Sequence, residues 1–419
     1  MKGIVFMTGK IRLGIAGCGN FVQNFIPLFK VHPYVEWVAV TDVIKERRDE
    51  TAKKHGITKV FNSFEDMLKS KEVNAVAIFA QRHLHGPLTI AALKAGKNVY
   101  TAVPIAFTVE EILQIADLVK TTGLTFSMGE TGYYRPCAMF CRSKMRSGEM
   151  GDFVYGESQY YHDMRNLYDN CRYSGGENWK KIAGFPPSYY PTHSTSMILS
   201  SVGSRAVKVS GFGYVDHHED GIFGKGRNLW DNPFSNITMV LRLANGGIAR
   251  VNEYHRIAWV GPTSYIGSLC GTNASYEFSV AQHHYIKMAG QNAIHEDVSS
   301  LLNPSEMAER KSSPEFYNDV VNDNKWTNTP APIQRKRILP AEFDKVSDIG
   351  HAGTHKFMVD DFCKAAYTGK LSPTNIWAAS RFNIPGLVAY QSALRDGEPM
   401  EVPDCGEPPA GLELLRDDE

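Results

Sequence analysis

The sequence lacks an excess of charge of either sign and lacks any long hydrophobic run. Among its 419 residues, Lys and Arg together number 45, and Asp and Glu together also number 45. This balance gives no electrostatic signature of binding to nucleic acid or to a membrane surface, so we expect neither as a partner. No stretch approaches the roughly 20 apolar residues of a transmembrane helix, and the apolar patch at the N-terminus is too short for a signal peptide. We therefore expect a cytoplasmic protein.

Cysteine is scarce and irregularly spaced. The chain has seven cysteines, an odd number without the paired spacing of a disulfide framework. Cys137 and Cys141 are four apart on a predicted helix, but no second Cys or His pair is near them in sequence. His351 and His355 are also four apart, yet the glutamate of a zinc-protease helix does not follow His351. We expect reduced thiols and no metal site.

The composition that remains is that of a folded globular protein, with 43% hydrophobic and 21% charged residues. Up to about residue 130, short apolar strands alternate with helices, the pattern of a parallel sheet with helices on both faces. After Pro136 the apolar residues follow period two, and Asn245-Gly246-Gly247 is a hairpin signal, which together predict a mainly antiparallel sheet. We therefore predict an α/β Rossmann dinucleotide-binding domain over 9–134. An α+β domain over 135–419 would bind the substrate and form homo-oligomers through its sheet.

One segment of the second domain is predicted to be irregular. Residues 285–345 are polar, with Asn, Pro, Lys and Ser prominent. A loop of this length is usually functional, an oligomer arm or disordered.

A glycine turn after the first strand organises the N-terminal half. Ile11 to Ala16 is apolar and runs into Gly17-Cys18-Gly19, and a second apolar strand, Val35 to Thr41, ends at Asp42. Glycine permits positive φ and close approach to a diphosphate, and an acid about twenty residues further on binds the adenosine ribose. Asp42 therefore favours NAD over NADP. Val22 takes the third glycine position of G-x-G-x-x-G, which loosens the packing of helix on strand.

The other candidates for cofactor binding follow the predicted strand ends, where the ligand crevice of such a sheet lies. The full set is Gly17, Cys18, Gly19, Asn20, Phe21, Asp42, Ala80, His83, His85, Val103 and Glu130.

Two pairs of phenol and imidazole side chains are candidates for acid–base chemistry. Tyr190 and His193 are three apart, which places them on one face of a helical turn, and Pro191 suits the start of a helix. Tyr160 and His162 alternate by two, which places them on one face of a strand. Such groups exchange protons with sugar hydroxyls near neutral pH. The same spacings also occur in ordinary packed tyrosines and hydrogen-bonded core histidines.

These segments together resemble the Gfo/Idh/MocA oxidoreductases, over nearly the whole chain. The likeness runs from Gly17-Cys18-Gly19-Asn20 through residues 79–100 to the antiparallel sheet. His85 matches that family's cofactor-side histidine, and Ala102-Val103-Pro104 stands at its Glu-Lys-Pro motif. In the family's ordinary dehydrogenases the lysine helps the hydroxyl proton leave, and valine cannot carry a proton. The resemblance therefore implies an NAD enzyme in which another group takes that proton.

The chain is more similar still to the NAD-dependent glycoside hydrolases of family 109, the α-N-acetylgalactosaminidase type, which also have an apolar residue at this position. Their Y-x-H-D-x-R motif reads Tyr160 to Arg165 here, their Y-P-T-H motif reads Tyr190 to His193, and Glu130 matches their active-site glutamate. Gly350 to Gly353 resembles one of their C-terminal segments more loosely. After Y-P-T-H the chain continues Ser194-Thr195-Ser196 instead of Gly-Leu-Gly. The resemblance implies a shared mechanism without implying a shared substrate.

The implied activity is NAD-dependent chemistry on a sugar or glycoside. In the implied mechanism a ring hydroxyl is oxidised, the ketone acidifies the neighbouring C–H, the glycosidic oxygen leaves by elimination, water adds and hydride returns. His193 and Tyr190 are then candidates at the oxidised hydroxyl, and Tyr160 and His162 at the neighbouring carbon or leaving group, although the two pairs are exchangeable.

Two alternatives stay open. One is a simple NAD-dependent sugar or polyol dehydrogenase with net NADH formation, in which His193 alone is the base. The other is a cofactor-bound sensor or scaffold that turns nothing over. Neither spacing nor composition separates these activities.

Overall fold

The chain forms two compact units, each containing one β-sheet. The computed structural model describes residues 9–258, 263–279, 282–304, 329–346 and 351–415. Of these, the residues within Met1–Glu130, Arg337–Ser380 and Asp404–Glu419 form the first unit, and those within Thr131–Lys336 and Arg381–Pro403 form the second.

The first unit contains a six-stranded parallel sheet. Its strands are β1 (Ile11–Ala16), β2 (Val35–Thr41), β3 (Lys59–Val60), β4 (Ala75–Ile78), β5 (Asn98–Thr101) and β6 (Phe126–Met128). They lie in the order β3-β2-β1-β4-β5-β6, so the connections run outward in both directions from β1. In such a sheet the ligand crevice lies at the carboxyl ends of the strands, where the order reverses. The predicted α/β Rossmann fold is confirmed.

Local sequence signals set the helices of this sheet. The helices are α1 (Ile26–Val31), α2 (Lys45–His55), α3 (Phe64–Lys69), α4 (His85–Lys94) and α5 (Val109–Thr122). The Ser63 hydroxyl accepts the Asp66 backbone N–H at 3.0 Å, and the Thr108 hydroxyl accepts that of Glu111 at 3.2 Å. Each cap satisfies a donor that has no partner inside its helix, which fixes where α3 and α5 begin.

A C-terminal helix also belongs to the first unit. Helix α11 (Thr354–Thr368) contacts β1 and β6, and its Tyr367 ring stacks on Tyr34 at a centroid distance of 4.1 Å. Phe362 meets Phe29 edge-on at 6.3 Å, and Asp360 lies 3.3 Å from His32. The division therefore differs from the predicted one, in which all of 135–419 formed the second domain. Packing between residues far apart in sequence assigns α11 to the first unit, and a local sequence pattern carries no information on such packing.

The second unit contains a nine-stranded sheet. Its strands are β7 (Phe153–Tyr161), β8 (Ala206–Val215), β9 (Phe234–Leu243), β10 (Ile248–Tyr254), β11 (Thr263–Gly271), β12 (Ala274–Ser279), β13 (Gln282–Ala289), β14 (Asn292–Asp297) and β15 (Met400–Glu401). The order is β14-β13-β12-β11-β7-β10-β9-β8-β15, and β10 and β7 pair in parallel while the other pairs are antiparallel. The predicted, mainly antiparallel sheet is confirmed.

The other helices of the described residues are α6 (Pro136–Arg146), α7 (Tyr168–Gly175), α8 (Trp179–Ala183), α9 (Thr192–Val202), α10 (Ser299–Leu302) and α12 (Ile376–Ala393), the last of which has residues in both units. Helix α9 contacts α6, β7, β10 and β11. It is buried along most of its length, including its polar residues Thr192, Ser194, Thr195 and Ser196. One face of the central strands is therefore covered by α9.

The predicted irregular segment over 285–345 is wrong in its first part. Residues 282–297 form the β13–β14 hairpin, with Gly290 at φ 64° in its turn. The sequence of β13 lacks the apolar alternation of a half-buried strand, because its buried positions are His283 and Tyr285 instead of aliphatic residues. Side chains that bury through hydrogen bonds do not register in a count of apolar alternation. Residues 305–328 of the predicted segment lie outside the described residues.

Candidate active site

The glycine turn after β1 leaves room for a ligand on one side only. Gly17 has φ 99°, and a Cβ there would lie 2.5 Å from the Phe79 carbonyl oxygen, so this position admits glycine alone. A Cβ on Gly19 would meet nothing within 4 Å. The turn therefore packs tightly against β4 on one side and presents open space at Gly19.

Asp42 is tied to this turn by its side chain. Its Oδ2 accepts the Cys18 backbone N–H at 2.7 Å, and its Oδ1 accepts that of Ile44 at 2.8 Å. The Arg47 guanidinium lies 4.0 Å from Oδ1. Burial, and secondly the Asp42 carboxylate, raise the pKa of the Cys18 thiol to about 12, so the thiol beside the turn stays protonated. Asp42 is thereby held at the end of β2.

The helix expected directly after the turn is interrupted. Phe21–Asn24 is a 3-10 helix, and the regular helix α1 begins only at Ile26. Val22, at the third glycine position, is 1% exposed. The N–H groups of Gly17 and Cys18 already donate to the Thr41 carbonyl and to Asp42 Oδ2, so a diphosphate would be bound by backbone N–H groups that follow Cys18.

The remaining cofactor candidates lie at the ends of the other strands of the first unit. His85 is 1% exposed; its Nδ1 lies 2.8 Å from the Pro104 carbonyl and its Nε2 3.0 Å from that of Ala80. Burial lowers the pKa of His85 to about 4, so the neutral ring donates its single N–H to one of these carbonyls. His85 is therefore engaged with the backbone on the inner side of this strand edge, through one of these two carbonyls.

Three further candidates complete this set. Burial lowers the pKa of His83, which follows β4. Val103 is 6% exposed and Glu130 is fully buried after β6. Val103 has no group that could accept a proton, so the proton of an oxidised hydroxyl would have to pass to another side chain.

The residues of the first unit fit NAD. The open side of Gly19 gives a diphosphate access to backbone donors, and Asp42 offers a carboxylate to a ribose diol. A 2′-phosphate would meet that same negative charge, so the site fits NAD better than NADP.

The four acid–base candidates are brought together in the second unit. Tyr160 lies near the end of β7 and His162 follows it, while Tyr190 precedes α9 and His193 lies in its first turn. The Tyr160 ring centroid is 5.3 Å from His162, 6.0 Å from Tyr190 and 5.0 Å from His193. Tyr160, His162 and His193 are buried, whereas Tyr190 is half-buried. The cluster therefore meets its surroundings chiefly through Tyr190.

His193 is held at both ring nitrogens. Its Nε2 lies 3.1 Å from the Tyr190 hydroxyl, and its Nδ1 lies 3.2 Å from Thr131 Oγ1. In the tautomer with the proton on Nδ1, Thr131 accepts that N–H and Nε2 accepts the Tyr190 O–H. A proton lost by Tyr190 to His193 then leaves a phenolate at the exposed side of the pair. This arrangement can remove a proton from a hydroxyl and return it.

Sequence reasoning missed the residues that support this cluster. Thr131 directly follows Glu130 in the chain, and only the fold brings it to His193. Glu253 on β10 is fully buried, stands opposite Tyr160 in the parallel pairing and accepts the Ser194 hydroxyl. A detectable signal existed for Glu253, because it continues the inward-facing positions of Ala249 and Val251 along β10.

Glu130 directly precedes Thr131 in the chain, where the division into two units falls. It belongs to the first unit, together with the ten other cofactor candidates, whereas Tyr160, His162, Tyr190 and His193 belong to the second. Among the described residues, no three His, Cys, Asp or Glu side chains are grouped as a metal site would require, and no helix is long and apolar enough to cross a bilayer. All seven cysteines are free thiols.

Comparison with known proteins gives similarity at three levels. Residues 11–130 match the model of the oxidoreductase family, NAD-binding Rossmann fold. A glycosyl hydrolase family 109 protein from Streptomyces filamentosus is 23% identical over 431 residues, which cover 96% of this chain and 79% of that protein.

Solved structures show the same fold at lower identity. Levoglucosan dehydrogenase, in complex with NADH and levoglucosan, superposes with a TM-score of 0.67 at 17% identity, covering 94% of this chain and 100% of the other. Myo-inositol 2-dehydrogenase from Lactobacillus plantarum gives a TM-score of 0.66 at 15% identity, with the same coverage of both chains.

Proposed function

We propose that this chain acts on a sugar or glycoside by a redox-neutral glycosidase mechanism. The proposal starts from the match of residues 11–130 to the oxidoreductase family with the NAD-binding Rossmann fold. Bound NAD supplies an acceptor for hydride and returns that hydride at the end of the cycle. The first unit holds the cofactor through the glycine turn and Asp42. The second unit supplies the proton transfers.

The Tyr190–His193 pair takes the proton of the hydroxyl that is oxidised. Tyr190 is the half-buried member, so its oxygen meets the substrate and passes its own proton to His193 Nε2 over 3.1 Å. Thr131 holds Nδ1 and with it the ring orientation.

The Tyr160–His162 pair serves the second set of proton transfers. After oxidation the C–H next to the ketone is acidic, and one group must remove that proton while the leaving oxygen gains one. Tyr160 stands between His162 and His193, at 5.3 and 5.0 Å from their ring centroids. The two pairs together provide the separate proton positions that an elimination needs.

This clustering of two phenol–imidazole pairs is the observation that carries the proposal. A simple dehydrogenase needs one acceptor for one hydroxyl proton, and the pair Tyr190–His193 would suffice. A second buried pair in contact with the first exceeds that need. The relatives named glycosyl hydrolase family 109 support the same choice, whereas the dehydrogenase structures support the fold alone.

The test uses the purified protein with nitrophenyl glycosides and with free polyols, with and without added NAD. We expect nitrophenol release without accumulation of NADH. Stoichiometric NADH from a polyol would contradict the glycosidase mechanism and establish the dehydrogenase. Bound NAD with no turnover across either panel would contradict both and leave a sensor or scaffold.

We also infer that copies of the chain associate through the uncovered face of the second sheet. The pairing register places Phe212, Tyr214, Val240 and Ile248 on the face opposite to Tyr160, and all four are exposed. Exposed apolar and aromatic side chains gathered on one face are typical of an interface between subunits.

Light scattering of two variants tests this association. Val240→Glu places a charge on this face and should lower the molecular mass in solution. Val154→Glu changes another exposed valine, at the start of β7 and outside the four residues named, and should leave the mass unchanged. A monomeric wild-type protein would contradict the inference.

A further inference from the structure

The segment before α11 has an unusual backbone. His351, Ala352 and Gly353 have φ of 49°, 56° and 71°, three consecutive residues in the left-handed region. This region is unfavourable for residues with a Cβ, and Ala352 has no polar side chain to offset the cost. Such a conformation persists where surrounding contacts fix it, and it is found preferentially at ligand sites. The contacts of this segment are therefore informative.

Those contacts lead to the residue that follows the glycine turn. The rings of His351 and His355 both meet the Phe21 ring edge-on, at centroid distances of 6.0 and 5.6 Å. His351 Nδ1 lies 3.0 Å from His355 Nε2, and the His355 ring packs on Phe25 at 4.2 Å. All of these residues belong to the first unit. The left-handed segment thus places the His351 ring against Phe21, which follows the glycine turn.

Burial decreases across this cluster toward the turn. His355 is 1% exposed, His351 is half-buried, and Phe21 is 42% exposed. Phe21 lies two residues after Gly19, whose side is open. The less buried end of the cluster is therefore the end that adjoins the predicted diphosphate position.

We propose that His351 is a cofactor-binding residue, which with Phe21 forms the wall beside the diphosphate and adjoining ribose of NAD. The proposal rests on the NAD binding of the proposed function. An imidazole offers a donor to phosphate or ribose oxygens, and its edge contact with Phe21 fixes the ring. Asp42 serves the adenosine ribose, so the contribution of His351 is confined to the diphosphate side of the cofactor.

The test compares three ligands on one variant. His351→Asn removes the ring and keeps a residue that tolerates left-handed backbone. By calorimetry we expect NAD and ADP-ribose to bind about three- to tenfold more weakly, and adenosine, which carries no phosphate, to bind as it does to the wild type. His217→Ala, an exposed histidine of the second unit, is the control and should change none of the three. His351→Gly gives a second removal of the ring without steric cost to the backbone.

Two results would overturn the proposal. Unchanged affinity for NAD and ADP-ribose in both His351 variants removes the assigned contact. Equal weakening of all three ligands, together with a lower melting temperature, assigns His351 to the fold. A wild-type protein that binds NAD but cleaves no glycoside contradicts the proposed function and leaves this assignment standing, so the two failures are distinct.

Discussion

At the scale of single residues, Asp42 has two tasks. Its carboxylate accepts the backbone N–H groups of Cys18 and Ile44, and it stands where the adenosine ribose would bind. The same charge lies 4.0 Å from Arg47. Removing only the charge therefore has a different consequence from removing the whole side chain.

We predict that Asp42→Ala weakens NAD binding and narrows the preference for NAD over NADP, because the charge that repels a 2′-phosphate is gone and Arg47 remains. Asp42→Asn is the matched control: it keeps the size and one acceptor oxygen, so it should narrow the preference with a smaller loss of NAD affinity. Titration with both cofactors measures this. Tighter NADP than NAD binding by the wild-type protein would contradict the prediction.

His193 is the residue on which turnover should depend most. We predict that His193→Ala lowers turnover by about a hundredfold to ten-thousandfold, the usual cost of losing an acid–base group. NAD binding should survive, because the cofactor candidates all lie in the first unit. Tyr190→Phe, which removes only a hydroxyl, should also slow turnover. Kinetics and thermal melting are measured together: near-normal turnover would remove His193 from the mechanism, whereas unfolding of the variant would show a structural role, and Tyr190→Phe then carries the test.

Thr131→Val separates orientation of His193 from its chemistry. The change keeps the shape of the side chain and removes the oxygen 3.2 Å from His193 Nδ1. We expect a rate loss smaller than that of His193→Ala, and a changed pH–rate profile, because the tautomer of the ring is no longer held. An unaltered profile would show that Thr131 does not orient His193.

At the scale of elements, β13 illustrates a strand stabilised by a buried histidine. His283 Nδ1 lies 2.7 Å from the Tyr276 hydroxyl and Nε2 lies 3.0 Å from Asn303 Oδ1. The amide oxygen accepts from Nε2–H, and the phenol donates to Nδ1, so the neutral ring satisfies both partners. Burial lowers the pKa of His283 to about 4. A proton added to Nδ1 would remove the acceptor of the Tyr276 O–H, and this hydrogen bond would be lost.

The lowered pKa of His283 predicts a pH dependence of stability. The unfolded chain binds this proton near pH 6.5, whereas the folded chain binds it only near pH 4. The contribution of neutral His283 to the free energy of unfolding is therefore present above pH 6.5 and is lost as the pH falls from 6.5 to about 4. We expect His283→Gln to lose about 2 kcal/mol less unfolding free energy than the wild type between pH 7 and pH 5. Urea unfolding at the two pH values measures this, with His217→Gln as the exposed control. Equal losses in all three proteins would contradict the assignment.

At the scale of the whole molecule, a redox-neutral cycle predicts an exchange of hydrogen between the product and the solvent. Removal of the C–H proton next to the ketone and its later replacement exchange that hydrogen with solvent. We predict that hydrolysis in deuterium oxide puts deuterium on the carbon next to the oxidised one, and that Tyr160→Phe slows the exchange. Mass spectrometry and NMR of the released sugar locate the label. Cleavage without deuterium incorporation would exclude the elimination pathway.

Much of the first unit followed from sequence, because its signals are local. The bounds of β1 and β2 match the predicted strands, and the hydroxyls of Ser63 and Thr108 cap the helices that follow them. An apolar run, a glycine turn and a capping hydroxyl act on their immediate neighbours. Local physics is sufficient to set such elements.

The sequence by itself determined the parallel sheet, the glycine turn with Asp42 and the two phenol–imidazole pairs as candidates. The tertiary structure alone decided which distant groups meet them: Thr131 at His193, Glu253 opposite Tyr160, and His351 at Phe21. It also decided that α11 packs with the first sheet and that β13 is a strand. The physical reason is that spacing along the chain fixes direction within one element, whereas burial and strand pairing between distant segments fix which side chains come into contact.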